Sequence, residues 1–258
     1  MIDLFGKERE VIEPLCRGRE EEVTIYGTME GHMGKVWVDK KQLPECAVVL
    51  AGDFFFLLGS CIKSEEEAIV QILSEHQDCI IILDDQIWAP LLEKLSTTYP
   101  ESYKSFLRYA MNGNMEWFEK EKLKSFIERV SPDFILQRID ATVFELTKKD
   151  EWSEDFCSNF QSVEEFEESG IGYVMLHEGE IVAGASTYGY CKGKIEIQIE
   201  TKKEFRRRGL ALACGAKLVL ECLEKNIYPR WDAANLDSVA LAEKLGYRFS
   251  HEYQVYSI

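Results

Sequence analysis

The feature that most constrains this chain is a short basic loop, containing one glycine, between an alternating strand and an amphipathic helix. The strand is predicted over 195–200, where isoleucine alternates with glutamate and glutamine. The loop reads Arg206-Arg207-Arg208-Gly209-Leu210-Ala211. Apolar residues at three- and four-residue spacing then predict a helix to about Glu224. This order presents unpaired backbone N–H groups at the positive end of a helix, which favours an anion such as phosphate.

A second strand and helix are predicted directly downstream. The strand lies in Tyr228-Pro229-Arg230-Trp231-Asp232-Ala233-Ala234-Asn235. A helix is predicted over 238–245, and Gly246 is expected to end it in a left-handed conformation. A final strand is expected to begin at 247–249. Together with the first loop, these elements alternate strand and helix, which is typical of an α/β fold.

Length and charge narrow the functional classes. The chain has 258 residues, enough for one large or two modest domains, and its formal net charge is −16. Such a charge argues against a general binder of nucleic acid or of anionic membranes, which attract cationic surfaces. It is compatible with a cationic substrate such as an amine. The sequence shows neither a membrane-spanning apolar run nor a secretion signal, so a cytoplasmic location is expected.

Cysteine and histidine do not predict a metal centre. The eight cysteines lie apart in the sequence, without a Cys-x-x-Cys pair, and the four histidines have no metal-ligand spacing. Buried reduced thiols are the expected state in the cytoplasm. We therefore expect neither a bound metal nor a disulfide framework.

The rest of the chain alternates predicted strands and helices. In the first half, strands are expected at 35–39, 47–50, 54–58, 80–83 and 101–110, and helices at 64–75, 86–95 and 115–130, with Ser64 and Glu67 as a capping box. In the second half, we expect strands at 134–139, 173–177 and 181–187, a helix capped by Asp140, and further helices within 152–168. The predicted domains are an N-terminal α/β domain, 1–132, and a C-terminal domain, 133–258.

The C-terminal domain resembles the GNAT superfamily of acyl-coenzyme A-dependent N-acyltransferases. The resemblance rests on the Arg-x-x-Gly-x-Ala loop, on Asn235 after the next strand, and on the close Leu245-Gly246-Tyr247. Four phrases are similar, more narrowly, to the acetyltransferases typified by zwittermicin A resistance proteins: Glu196-Ile197-Gln198-Ile199-Glu200-Thr201, the loop itself, Trp231-Asp232-Ala233 and Leu241-Ala242-Glu243-Lys244-Leu245-Gly246-Tyr247. In that family the first half looks like a second, degenerate GNAT-like unit.

The resemblance implies a V-shaped mixed sheet that binds acetyl-CoA where two parallel strands splay apart. Backbone N–H groups from Arg207 to Ala211 are expected to hold the pyrophosphate. The expected cofactor-binding residues are Ile199, Thr201, Arg206, Arg207, Arg208, Gly209, Leu210, Ala211, Asn235 and Ser238. Three adjacent arginines cannot all point toward one ligand, so at least one is expected to face solvent.

Candidate catalytic residues follow from the needs of acyl transfer to an amine, which requires a proton acceptor and benefits from a donor to the leaving thiolate. Glu196 is the preferred general base, and Glu200 is the second choice. Many GNAT enzymes carry a tyrosine donor before the Leu-Gly close, where this chain has Ala242. Alternative donors are Tyr247, Tyr253 and Tyr228.

The leading functional hypothesis is an acetyl-CoA-dependent N-acetyltransferase acting on a primary amine of a small molecule, such as an antibiotic or a metabolite. An antibiotic acceptor would make it a resistance enzyme. The alternative is a GNAT-fold sensor or interaction protein that binds acyl-CoA without turnover. Some tandem GNAT folds transfer aminoacyl groups from transfer RNA, and the acidic charge argues against that reading. The expected partners are acetyl-CoA and a small amine, without nucleic acid or membrane, and a homodimer is left open.

Overall fold

The structure is a computed structural model that describes residues 1–60, 62–76 and 78–258, except the side chain of Asp85. The chain forms two compact units. Unit 1 consists of Met1–Arg108 and Glu252–Ile258, and unit 2 consists of Tyr109–His251. The predicted domain boundary at 132/133 coincides with neither crossing between these units, and as a boundary between two related halves it stays a prediction.

Unit 1 is built on a strongly apolar sheet. Its elements are β1 (Ile2–Leu4), a 3₁₀-helix (Gly6–Cys16), α1 (Val23–Met29), β2 (Lys35–Val38), β3 (Cys46–Ala51), β4 (Phe54–Gly59), α2 (Glu66–Ser74), β5 (Ile80–Ile82) and α3 (Asp85–Thr98). Strands β1 to β4 are antiparallel neighbours in sequence order, and β5 pairs with β4 in parallel. Apolar faces of α2 and α3 pack with β3 and β4 in one core. The predicted mixture of strands and helices is therefore confirmed here.

Unit 2 contains the elements around the predicted loop. After β6 (Lys104–Asn112), which enters from unit 1, come a 3₁₀-helix (Met115–Trp117), α4 (Lys120–Glu128), β7 (Ile135–Arg138), α5 (Ala141–Thr147), α6 (Glu151–Glu154), α7 (Val163–Ser169), β8 (Gly172–His177), β9 (Glu180–Cys191), β10 (Lys194–Thr201), a 3₁₀-helix (Lys203–Phe205), α8 (Leu210–Lys225), β11 (Tyr228–Arg230), β12 (Asp232–Ala233), α9 (Leu236–Leu245) and β13 (Arg248–Ser257), which returns to unit 1. The main sheet has the order β11-β10-β9-β8-β7. It is mixed, because β10 and β11 are parallel and the other neighbours antiparallel.

Helix α8 covers one face of the main sheet. Ile195 and Ile197 of β10 share a buried cluster with the apolar side of α8, and Ile199 lies against Gly215, where an added Cβ would come within 3.3 Å of its Cδ1. The predicted packing of the isoleucine face on this helix is therefore confirmed.

A partly buried polar network also joins α8 to the strands beneath it. Glu221 accepts hydrogen bonds from the Tyr173 hydroxyl (2.5 Å), Lys225 Nζ (2.8 Å) and Arg138 Nη2 (3.3 Å). Burial of Glu221 opposes ionisation, but these three donors outweigh it and lower the pKa of the carboxyl to about 2.

Two helix predictions require correction. The 64–75 helix begins at Glu66, and its N-cap Glu65 has helical backbone angles and no capping hydrogen bond from its side chain. The helix therefore starts after Glu65 and not after Ser64, and Glu65 does not cap it. The predicted capping box of Ser64 and Glu67 is wrong. The 115–130 helix is broken in two at Phe118, whose extended backbone lets its buried ring pack edge-on against Tyr247 at 4.9 Å between ring centroids.

None of the described cysteines forms a disulfide bond. Six are buried and Cys79 is partly buried, while Cys61 lies outside the described residues. Within the described ranges, no cluster of three or more His, Cys, Asp or Glu side chains is arranged to hold a metal ion. No helix in that part of the chain has the length and apolarity to cross a membrane.

Candidate functional site: strand divergence and anion loop

The candidate site begins where β10 and β11 separate. The two strands pair in parallel through Lys194↔Tyr228, Ile195↔Pro229 and Glu196↔Arg230. In the described residues, β11 ends at that last pair, whereas β10 continues to Thr201 and stays paired with β9. Among the described residues, the edge of β10 from Ile197 to Thr201 therefore has no neighbouring strand on the β11 side. An open strand edge offers backbone donors and acceptors to an extended ligand.

Trp231 marks the position at which the chain changes sheet partner. Directly after it, β12 pairs antiparallel with β6 through Asp232↔Ala110 and Ala233↔Tyr109. The Trp231 ring is 2% exposed, and its Nε1 donates to Ser238 Oγ at 3.1 Å. The separation of the strands is thus fixed by a buried side chain and by pairing on both sides of it.

The basic loop lies at the other end of the open edge. Gly209 has φ +80° and precedes the first residue of α8, a 16-residue helix. Its carbonyl accepts the first hydrogen bond of the helix, from Ala213 N at 3.0 Å. The backbone N–H groups of Leu210 and Ala211 come before that bond, so they have no acceptor within the helix. A Cβ added at Gly209 would meet nothing within 4 Å. The helix start therefore faces open space and suits an anionic group.

The three arginines of the loop take three directions, as predicted. Arg206 turns back to β10, where Nε donates to Thr201 O at 3.1 Å and Nη2 pairs with Glu200 Oε1 at 3.0 Å. Arg208 lies over the ring of Phe205, 5.1 Å from its centroid. Arg207 has φ +65°, a conformation that is costly outside glycine, and its exposed Nη1 is 3.6 Å from Asp237 Oδ1.

Glu196 forms a mostly buried ion pair at the point of strand divergence. Arg230 Nη1 donates to Glu196 Oε2 at 2.7 Å, and the side chains are 14% and 9% exposed, respectively. The neighbouring guanidinium favours the ionised carboxylate. Sequence reasoning proposed Glu196 but missed Arg230, because only the register of the parallel strands brings residues 34 positions apart together.

Glu200, the second candidate base, is committed to the loop. It pairs with Arg206 and accepts from its neighbour Thr201 N at 3.1 Å. These contacts give Glu200 a role in closing the turn from β10 to α8. Ile199 and Thr201 lie on the open edge of β10, where the family resemblance placed them.

Asn235 and Ser238 form the start of α9. Asn235 Oδ1 accepts from Ser238 N at 2.9 Å, which is a side-chain N-cap. Ser238 Oγ is the acceptor for Trp231. Both predicted cofactor-binding residues thus have structural partners next to the position where the chain leaves β11.

Two of the three alternative tyrosine donors, Tyr247 and Tyr228, donate their hydroxyl hydrogens to backbone carbonyls. Tyr247 is 2% exposed, its hydroxyl donates to Pro229 O at 2.8 Å, and burial raises its pKa well above the usual value. This placement argues against the predicted catalytic role of Tyr247. Tyr228 donates to Gly113 O at 3.3 Å. Tyr253 lies in the part of β13 that belongs to unit 1. Ala242 is fully buried.

A mixed sheet whose parallel strands diverge beside a glycine-containing helix start has the architecture of a GNAT-fold acyltransferase. Comparison with known proteins assigns the chain within that class. A family model described as GNAT acetyltransferase matches residues 13–256. This protein belongs to the GNAT acetyltransferase family, a family of acyltransferase enzymes.

Individual relatives agree with this assignment. A GCN5-related N-acetyltransferase-like protein from Streptococcus suis 89/1591 is 34% identical, with a TM-score of 0.86, over 98% of this chain and 99% of that protein. The uncharacterized N-acetyltransferase YdfB of Bacillus subtilis (strain 168) is 28% identical over 166 residues, 62% of this chain and 63% of that relative. The chain thus matches less than two thirds of this curated relative's length. A GCN5-related N-acetyltransferase from Kribbella flavida shares the fold, with a TM-score of 0.55 at 13% identity over 83% of this chain and 86% of that one.

Proposed function

We propose that this protein transfers an acetyl group from acetyl-CoA to a primary amine of a small molecule, such as an antibiotic or a metabolite. The observation that carries the proposal is the joint placement of the open β10 edge and the Gly209 helix start in unit 2. An edge strand suits the amide-rich pantetheine arm, and a helix N-terminus suits the pyrophosphate. The membership of the GNAT acetyltransferase family supports the same reading.

The residues present fit acetyl-CoA at this place. Backbone N–H groups of Leu210 and Ala211 would hold the pyrophosphate, and the open space in front of Gly209 would admit it. Arg207 and Arg208 would add positive charge, whereas Arg206 maintains the turn through Glu200 and Thr201. When bound, the thioester supplies an activated acetyl group.

The protein's chemical task is then to orient the amine and to accept its proton. Glu196 is the candidate base, acting directly or through a water, because its carboxylate lies where the strands diverge. Its ion pair with Arg230 opposes protonation of the carboxylate, whereas the burial of Glu196 favours protonation. The Glu196→Gln variant is expected to lower turnover mainly near neutral pH. Equal turnover of the variant and the wild type across pH would remove Glu196 from the mechanism.

Cofactor binding is tested by calorimetric titration of acetyl-CoA into the wild type and the Gly209→Glu variant. The added carboxylate should abolish binding, because it places negative charge at the proposed anion site. Folding of both proteins is checked by circular dichroism and thermal unfolding. A folded wild type that does not bind acetyl-CoA would refute the proposal.

A second candidate function is acyl-CoA binding without turnover. The observation in its favour is that Ala242 occupies the usual tyrosine position, while the hydroxyl of Tyr247 is used by a backbone carbonyl. Release of free CoA thiol with a panel of amines separates the two functions. Amine-dependent thiol release supports the enzyme, and tight binding of acetyl-CoA without any release supports the sensor.

A further inference from the structure

The pair of Glu196 and Arg230 places one negative and one positive charge together at the divergence point. They are the last paired residues of β10 and β11, and beyond them the strands separate. Both side chains are largely shielded from water, and Oε2 and Nη1 are 2.7 Å apart. A ligand that enters between the strands therefore comes next to the two residues that carry these charges.

The stability of the fold does not explain why a buried ion pair lies at this position. Desolvation of two charges largely offsets their attraction, so a buried ion pair often stabilises a fold no more than well-packed apolar residues would. Once one charge is present, however, removal of its partner is costly, because the remaining charge is left in a poorly solvated place. Any ligand or proton that engages one member of the pair must therefore be compatible with the other.

Net charge determines which acceptors meet that condition. The pair sums to zero, so a simple ammonium ion bound at Glu196 would bring the local sum to +1. An acceptor that carries both an ammonium and a carboxylate adds no net charge. Its ammonium can pair with Glu196 while its carboxylate pairs with Arg230, so each buried charge keeps an opposite neighbour.

The same condition holds during proton transfer. When Glu196 accepts a proton it becomes neutral, and Arg230 loses the charge of that neighbour. An acceptor carboxylate restores the balance, because it lies against the guanidinium while Glu196 is protonated. The acceptor carboxylate would thereby offset the attraction between Arg230 and Glu196 that opposes protonation of Glu196.

The geometry points to an acceptor of the amino-acid class: a small molecule that bears a carboxylate close to its reacting amine, with Arg230 as the residue that selects the carboxylate. This inference rests on the proposed acetyl transfer. In the reaction, the ammonium loses one proton to become the nucleophile, the C–N bond forms, and the C–S bond of the thioester breaks. The nitrogen loses a second proton as the thiolate gains one. The products are the N-acetylated acid, CoA thiol and one released proton.

The test compares each of the nineteen proteinogenic amino acids that carry a primary α-amine with its α-methyl ester. The ester removes the negative charge and retains the amine, which loses its proton more easily than that of the free acid. Because the two amines also differ in nucleophilicity, a preference for the free acid is assigned to binding only where affinity shows it as well. Two quantities are measured for each pair: kcat/KM by thiol release, and affinity by calorimetric titration into protein saturated with CoA. For at least one pair, the free acid should be preferred ~10–100-fold in both measurements, the range of a charge-assisted hydrogen bond.

Variants assign the preference to Arg230. In Arg230→Gln the ratio of free acid to ester should fall close to one, whereas Arg230→Lys should keep part of it. The double variant Glu196→Gln/Arg230→Gln removes both charges, so it guards against misfolding caused by an unpaired buried carboxylate. Arg129→Gln, at an exposed position after α4, is the matched control and should keep the wild-type ratio. Calorimetric titration of CoA verifies that each variant has an intact site.

The outcomes separate this inference from the proposed function. Equal use of acids and esters, or an unchanged ratio in a folded Arg230→Gln variant, would overturn the acceptor class and leave acetyl transfer intact. Acetyl-CoA binding with neither turnover nor any preference in affinity among these acceptors would overturn the acceptor class, and the panel of other amines then tests acetyl transfer by itself. Absence of acetyl-CoA binding would refute the proposed function and, with it, this inference.

Discussion

Gly209 allows the anion site to be tested with a single methyl group. Its φ of +80° is a conformation that L-residues adopt at a cost of roughly 1–2 kcal/mol. An added Cβ would touch no atom within 4 Å, so Gly209→Ala should pay only this conformational cost in stability. In the proposed complex, the same methyl group would occupy the space of the ligand.

Gly193 provides a matched control. It has φ +74°, and a Cβ there would also meet nothing within 4 Å. It lies in the turn that precedes β10, whereas the loop follows β10. With seven steps of about 3.3 Å each, the two ends of this eight-residue strand are about 23 Å apart. Both alanine variants should therefore lose a similar ~1–2 kcal/mol in the free energy of unfolding, and only one should affect the ligand.

The expected loss of affinity in Gly209→Ala follows from the backbone contacts at the helix start. Displacing the pyrophosphate from one charge-assisted hydrogen bond costs about 1.5–3 kcal/mol, or ~10–150-fold in the dissociation constant. Urea unfolding gives the stability of each variant, and calorimetric titration gives its affinity for acetyl-CoA. Gly193→Ala should bind like the wild type. Equal affinities in the two variants, at equal stability, would refute the assignment of the anion site to Gly209.

Two further predictions concern buried polar groups. The carboxyl of Glu221 has a lowered pKa of about 2, so its contribution to stability is complete above its ordinary pKa of 4.5 and is lost as pH falls toward 2. The lowered pKa corresponds to roughly 3 kcal/mol in the free energy of unfolding, so Glu221→Gln should destabilise the protein strongly at pH 7 and much less at pH 3. Denaturant unfolding measures this loss, with the exposed Glu224→Gln variant as the control. A loss of stability that is the same at both pH values would contradict the proposed role of the network. Tyr247→Phe should cost ~1 kcal/mol through the lost hydrogen bond to a backbone carbonyl, and it should leave the pH profile of kcat unchanged; a lost basic limb in that profile would restore Tyr247 as a proton donor.

The sequence predicted the parts of unit 2 whose signals are local. Alternation in β10, the glycine before α8 and the apolar spacing along α8 each depend on neighbouring residues, so the strand, the loop and the helix could be placed before the structure was known. Simple geometry also predicted that the three adjacent arginines cannot all point the same way.

Features that depend on distant contacts could not be predicted in this way. The break at Phe118 is stabilised by packing against Tyr247, more than a hundred residues away, whereas the local pattern favoured one continuous helix. The pairing of Glu196 with Arg230 depends on strand register, which no local pattern contains. The hydroxyl of Tyr247 looked available in the sequence because its acceptor, Pro229 O, belongs to another strand.

The change of sheet partner at Trp231 has a consequence for how a ligand would bind. Because Arg230 is paired with β10 and Asp232 with β6, the gap between the strands is formed when the chain folds. The conformational entropy of opening that gap is lost at folding and is not lost again on binding. The cleft is therefore preorganised. Amide hydrogen exchange along β11 and β12 should be slow in the free protein and change little when acetyl-CoA is added, whereas substitution of Trp231 by a small residue should accelerate it before any ligand is present.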